Sequence, residues 1–155
     1  MKVEGKKGIG NILKIFVQIC FILGVIFLIV LPFILQQLGF KLGASIFIIY
    51  PNGIVLLIIA YQFIKLFDSL KNENPFCNTN VKILKRTGIV ALVGAIFWLI
   101  DLLYEIILAK SNNIIFLGTL GFLTILFFGV SIALYILAEL LKKATEYKEE
   151  NELTI

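Results

Sequence analysis

The sequence predicts an all-α membrane protein, a bundle of four transmembrane helices with both termini in the cytoplasm. Three observations carry that reading. Four apolar runs each reach about the 20 residues that cross the hydrocarbon core of a bilayer, charged residues gather between those runs, and lysine and arginine crowd into alternate connections. Composition agrees. Apolar residues make up 60% of the 155 and charged residues 15%, whereas a soluble domain carries about 45–50% and about 25%. A small domain has too much surface for its volume to hide that much apolar material from water.

The runs cover residues 12–35, 44–67, 89–108 and 114–137. Helix is favoured over strand because, in lipid, every backbone donor must be satisfied within its own segment. Barrel strands would also alternate polar and apolar residues, and these runs do not. The first run follows a basic leader (Lys2, Lys6, Lys7), but its apolar stretch is too long for a signal peptide. No small-x-small cleavage site follows it, so it reads as a retained signal-anchor helix. The second run contains Pro51-Asn52-Gly53, a turn signal amid apolar sequence. Either the helix starts near Ser45 and kinks at Pro51, which is the preferred reading because neighbours can satisfy the freed carbonyl, or residues 45–50 form an outer-leaflet segment and Asn52 caps the true helix.

Orientation follows from the cations, because positive loops stay inside. Lys2, Lys6, Lys7 and Lys14 lie at the N-terminal side. Lys65, Lys71, Lys82, Lys85 and Arg86 flank or occupy the 68–88 loop, and Lys142, Lys143 and Lys148 lie in the 138–155 tail. Those are twelve of the fourteen; only Lys41 and Lys110 fall in the other two connections. The sequence therefore predicts a multi-pass protein of the cell membrane with loop and tail in the cytoplasm. Cys20 and Cys77 are too far apart in this layout to pair, and they read as two inert thiols. Small residues four apart, which let helices approach closely in lipid, occur at Cys20 and Gly24, Ala91 and Ala95, and Gly129 and Ala133.

Ahead of the third run stands Asn74-Pro75-Phe76-Cys77-Asn78-Thr79-Asn80-Val81-Lys82-Ile83-Leu84-Lys85-Arg86-Thr87-Gly88. Pro75 stops any helix continuing from the second run, and Asn78 or Thr79 is placed to cap a new one. The expected product is a short cytoplasmic amphipathic helix before helix three, its cations near anionic headgroups. The chain closes on Glu149-Glu150-Asn151-Glu152-Leu153-Thr154-Ile155. These two motifs resemble the YoaS-like family of small bacterial multi-pass membrane proteins, a domain of unknown function. That family carries Ser where this chain has Cys77 and Asp where it has Glu152. The resemblance implies a bacterial inner-membrane protein, often encoded beside a small helix-turn-helix regulator, with no established activity. It points to Pro75, Phe76, Asn80, Val81, Leu84, Lys85, Arg86, Glu150, Asn151 and Leu153 as a candidate cytoplasmic interaction motif.

A second candidate lies inside the third run. Asp101 and Glu105 stand one helical turn apart on the face that also carries Trp98 and Gly94. An acid at a helix centre costs about 3 kcal/mol on insertion scales, while the run's Leu, Ile, Val and Phe residues return roughly 4–8 kcal/mol, so the helix still inserts. The acids must then face the bundle or the outer interface. They read either as structural, with Asp101 bonded across the bundle or paired with Lys110 or Lys41, or as a site for a cation, a proton or a peptide.

Enzyme chemistry lacks its parts. The chain has no histidine and two cysteines, which leaves no ordinary zinc set and no Ser-His or Cys-His pair. No metal, cofactor or direct nucleic-acid contact is expected. The candidate partners are anionic headgroups on the cytoplasmic side, a soluble protein, and a second copy of the chain. The preferred expectation is an interaction or regulatory protein presenting loop and tail to a soluble partner such as a helix-turn-helix regulator. The alternative is bacteriocin-type immunity or small-solute or ion transport through Asp101 and Glu105.

Overall fold

The computed structural model describes residues 4–37, 42–71, 76–110 and 112–152. It contains four helices, α1 (Glu4–Gln37), α2 (Leu42–Lys71), α3 (Asn78–Ile107) and α4 (Ile114–Glu152). Each holds one of the apolar runs, and each is long and apolar enough to cross a membrane. Lys2, Lys41, Pro75 and Leu153 lie outside the described residues.

Two elements differ from the sequence reading or sharpen it. Helix α2 begins at Leu42 and continues through Pro51. Proline removes one backbone donor, but a turn in hydrocarbon would strand several, so the helix persists. The expected short amphipathic helix is the start of α3 itself, which runs unbroken from Asn78. Asn78 and Thr79 fall in its first turn. The cap position belongs to Cys77, whose backbone is extended (φ −139°, ψ 148°) and whose side chain makes no capping bond. Its carbonyl accepts instead from the Asn80 N–H at 3.0 Å. At the far end, Lys110 turns the chain with φ 48°. The Asn113 Oδ1 then accepts from the Phe116 N–H at 3.1 Å, capping α4.

The bundle packs in chain order, α1 on α2, α2 on α3, and α3 on α4 along the longest seam; among the described residues, backbone contacts join no other pair. Small residues make the α3–α4 seam close. Ala91, Ala95 and Ala138 are buried there, and the Ser131 hydroxyl donates to the Gly88 carbonyl at 2.8 Å. Of the three small-residue pairs, Ala91 and Ala95 lie in this seam. Gly24 meets Leu57 of α2, while Cys20 is exposed. Gly129 and Ala133 face outward, and Gly129 has open space beside it. The inward face of α4 is the one bearing Ser131, Leu134 and Ala138. Val55, Ala95 and Phe127 join α2, α3 and α4 in one apolar cluster.

Most other large apolar side chains point outward, among them Ile22, Phe27, Ile54, Ile96, Ile125 and Phe128. Water would penalise a surface so continuously apolar, and lipid does not. The chain is a multi-pass membrane protein of four helices.

Candidate functional site

Two groups of residues invite a functional reading, one inside the membrane and one at the end where α1, α2, α3 and α4 carry their lysines. In the first, Asp101 and Asn52 are almost fully enclosed, at 6% and 3% exposure. The Asn52 Nδ2 donates to the Asp101 Oδ2 at 2.8 Å. Helical periodicity turns Asp101 toward α2, and the continuation of α2 past Pro51 presents Asn52 opposite it. The structure thus gives Asp101 a partner across the bundle that is neither of the expected lysines: Lys110 is exposed at the turn after α3, and Lys41 is outside the described residues. The sequence alone, which favours a helix kinked at Pro51, gives Asn52 no partner.

The neighbours of the pair do not extend it into a binding constellation. Trp98, half-buried, stacks obliquely against Phe127 with ring centroids 6.5 Å apart. Its buried Nε1 has no hydrogen-bond partner among the described residues. Glu105 is half-buried and forms no salt bridge with a described residue. No group of three or more His, Cys, Asp or Glu converges as a metal site among the described residues. The amide–carboxylate bond between two helices offsets part of the cost of an acid in lipid.

At the lysine-rich end, ion pairs tie the helices together. Lys14 of α1 pairs with Asp68 of α2, and Lys85 of α3 pairs with Glu139 of α4 at 2.6 Å. Lys142 and Glu146 pair along α4 at 3.4 Å. Two lysines also lie over tyrosine rings, Lys65 at 4.6 Å from the Tyr61 centroid and Lys85 at 5.5 Å from that of Tyr135.

The candidate interaction motif is split by this packing. Asn80 and Val81, at 0% and 5% exposure, are interior residues and offer nothing to a docking surface. The Lys85–Glu139 pair joins α3 and α4 near this level, where the first turns of α3 run alongside the continuation of α4. Thr145 is buried there at 3% exposure, its hydroxyl donating to the Leu141 carbonyl at 2.8 Å. Leu84 is half-buried and Lys85 is held in its ion pair. Phe76, Arg86, Glu150 and Asn151 remain exposed. Cys77, half-buried, has its Sγ 3.8 Å from the Ser69 Oγ of α2.

A family model described as "Protein of unknown function (DUF2975)" matches residues 11–155, from within α1 through α4. No curated protein and no solved structure matches the chain.

Proposed function

The chain belongs to the DUF2975 family of proteins of unknown function, and we propose that it acts there as a membrane-anchored interaction protein. Its α3–α4 hairpin would present a cytoplasmic surface to a soluble partner. The observation that carries this reading is the reach of the hairpin past the bilayer. Lysine and tyrosine favour the membrane–water boundary, and the Tyr61–Lys65 and Tyr135–Lys85 pairs mark that boundary on α2 and on the hairpin. From Lys85 to the end of α3, and from the start of α4 to Tyr135, each helix spans roughly 30–35 Å at 1.5 Å per residue, the hydrocarbon thickness and little more. Beyond Tyr135, α4 continues to Glu152, roughly 25 Å further. Membrane crossing alone does not require that length.

The split of twelve cations against two supports a cytoplasmic projection; both termini would then lie on that same side, with the protein in the cell's inner membrane. Phe76, Leu140 and Tyr147 give the projection exposed apolar anchors, and Lys143, Glu150 and Asn151 give it a polar surround. The finer likeness to YoaS-like proteins, carried by the loop and tail motifs, points to a small helix-turn-helix regulator as the partner. Immunity or transport through Asp101 and Glu105 draws less support, because Asp101 already has a hydrogen-bond partner in Asn52.

Removal of residues 146–155 tests the proposal, since it leaves the buried Thr145 in place. Full-length protein purified from membranes of its own host is expected to carry a soluble protein in stoichiometric amount. The shortened chain, and a Phe76→Ala variant, should lose it. Full-length protein that carries nothing would overturn the reading.

A further inference from the structure

We infer that Lys82 and Arg86, one turn apart at the start of α3, hold the phosphate of an anionic phospholipid from the inner leaflet. Its acyl chain would lie along Ile89, Val93 and Ile96. The inference rests on the inner-leaflet placement of this end of α3 proposed above, and it does not depend on a soluble partner.

The first support is a charge inventory. Three nearby lysines have acidic partners, Lys14 with Asp68, Lys85 with Glu139 and Lys142 with Glu146. Lys82 and Arg86 are exposed and have no acidic partner among the described residues. Two cations that share a helix face repel one another, so an anion between them relieves a cost that the fold leaves standing. A guanidinium binds phosphate through two parallel hydrogen bonds and an ammonium adds a point charge, so the two residue types are complementary on one headgroup.

The second support is where that face leads. At 3.6 residues per turn, positions 82, 86, 89, 93 and 96 form one row. Ile89, Val93 and Ile96 are exposed at 58%, 40% and 49%. Arg86 adjoins Lys85 at the boundary marked by Tyr135, and Lys82 stands one turn further into the cytoplasm. A charged pair at headgroup level above an apolar row in the hydrocarbon has the layout of a phospholipid. A soluble protein could reach the cations and could not follow the row. Arg86 therefore belongs to the lipid contact, which leaves Phe76 and the tail for a partner.

Native mass spectrometry of the full chain in detergent reads this directly, with phosphatidylglycerol and phosphatidylcholine of matched acyl chains as probes. Phosphatidylglycerol should be retained about tenfold better than phosphatidylcholine, and Lys82→Gln with Arg86→Gln should abolish about that margin. The charge-conserving Lys82→Arg with Arg86→Lys should restore most of it, and Lys65→Gln should leave it unchanged. Equal retention of the two lipids overturns the inference, as does a double glutamine variant that binds like the wild type or a Lys65→Gln loss of similar size. Displacement by millimolar inorganic phosphate also overturns it, by showing a site for the free anion. Loss of a co-purifying protein on removal of the tail bears on the functional proposal alone, so the two can fail separately.

Discussion

Gly94→Leu is expected to lower stability in detergent by about 3 kcal/mol, the upper end of the usual cost of overpacking a core. A Cβ at this position would lie 2.8 Å from Val55 Cγ1 and 2.9 Å from Phe127 Cδ1. Neither neighbour yields easily. Valine is stiff about its first side-chain torsion, and both residues are buried in the cluster that joins α2, α3 and α4. Leucine there should press on both neighbours, forcing α2 and α4 away from α3 at this level. Gly118→Leu is the control, because Gly118 is exposed with nothing within 4 Å, and its unfolding curve should superimpose on the wild type. Reversible unfolding in mixed micelles, followed by helical circular dichroism, measures both. A Gly94→Leu curve that matched the Gly118→Leu curve would refute the close three-helix approach.

Asn52→Leu should destabilise by about 2 kcal/mol. Hydrogen bonds between membrane helices average about 0.6 kcal/mol and reach about 1.7, because the separated helices also find other partners. Asn52 exceeds that average in this reckoning because its removal strands a buried acid, and an unsatisfied buried group costs about 1–3 kcal/mol. The discriminating variants are the second residue and the pair. Asp101→Asn keeps an oxygen to accept from the Asn52 Nδ2 and should unfold near the wild type. Asn52→Leu with Asp101→Leu removes both polar groups from the interior and should recover most of the loss. A double variant as unstable as the sum of its two single leucine variants would show that the two side chains are not coupled.

Four helices were legible because membrane crossing is a question of length and oiliness, and residues 12–35 or 114–137 answer it without reference to any neighbour. The start of α3 was not legible to the same rule. Hydropathy locates where a helix enters lipid, and the backbone has no reason to stop there; α3 continues to the extended Cys77. The partner of Asn52 was not legible for a related reason. Pro-Asn-Gly is a turn signal in water, but in hydrocarbon the backbone stays helical and the asparagine must find a partner of its own. A depth comparison holds the clue. Asn52 lies as far from Ala44 as Asp101 lies from Leu108, to within one residue, so antiparallel helices bring the two level. Gly129 and Ala133 show the opposite failure. A spacing of four identifies a stripe, but only the neighbour decides which stripe turns inward, and Gly88 selects the face of Ser131. The candidate interaction motif mixed both kinds of residue: Asn80 and Val81 are buried, whereas Phe76 and Arg86 stay at the surface. One sequence offers no means of separating them until α4 is placed beside α3.

The central claim, four crossings with both ends of the chain in the cytoplasm, is tested most directly by labelling single cysteines in intact cells. In a Cys20→Ser, Cys77→Ser background, Asn112→Cys places a thiol between α3 and α4, and Lys143→Cys places one in the projecting part of α4. A membrane-impermeant maleimide should label position 112 from outside and reach position 143 only after the cells are permeabilised. Labelling of position 143 in intact cells, or release of the chain from membranes by an alkaline wash, would contradict it.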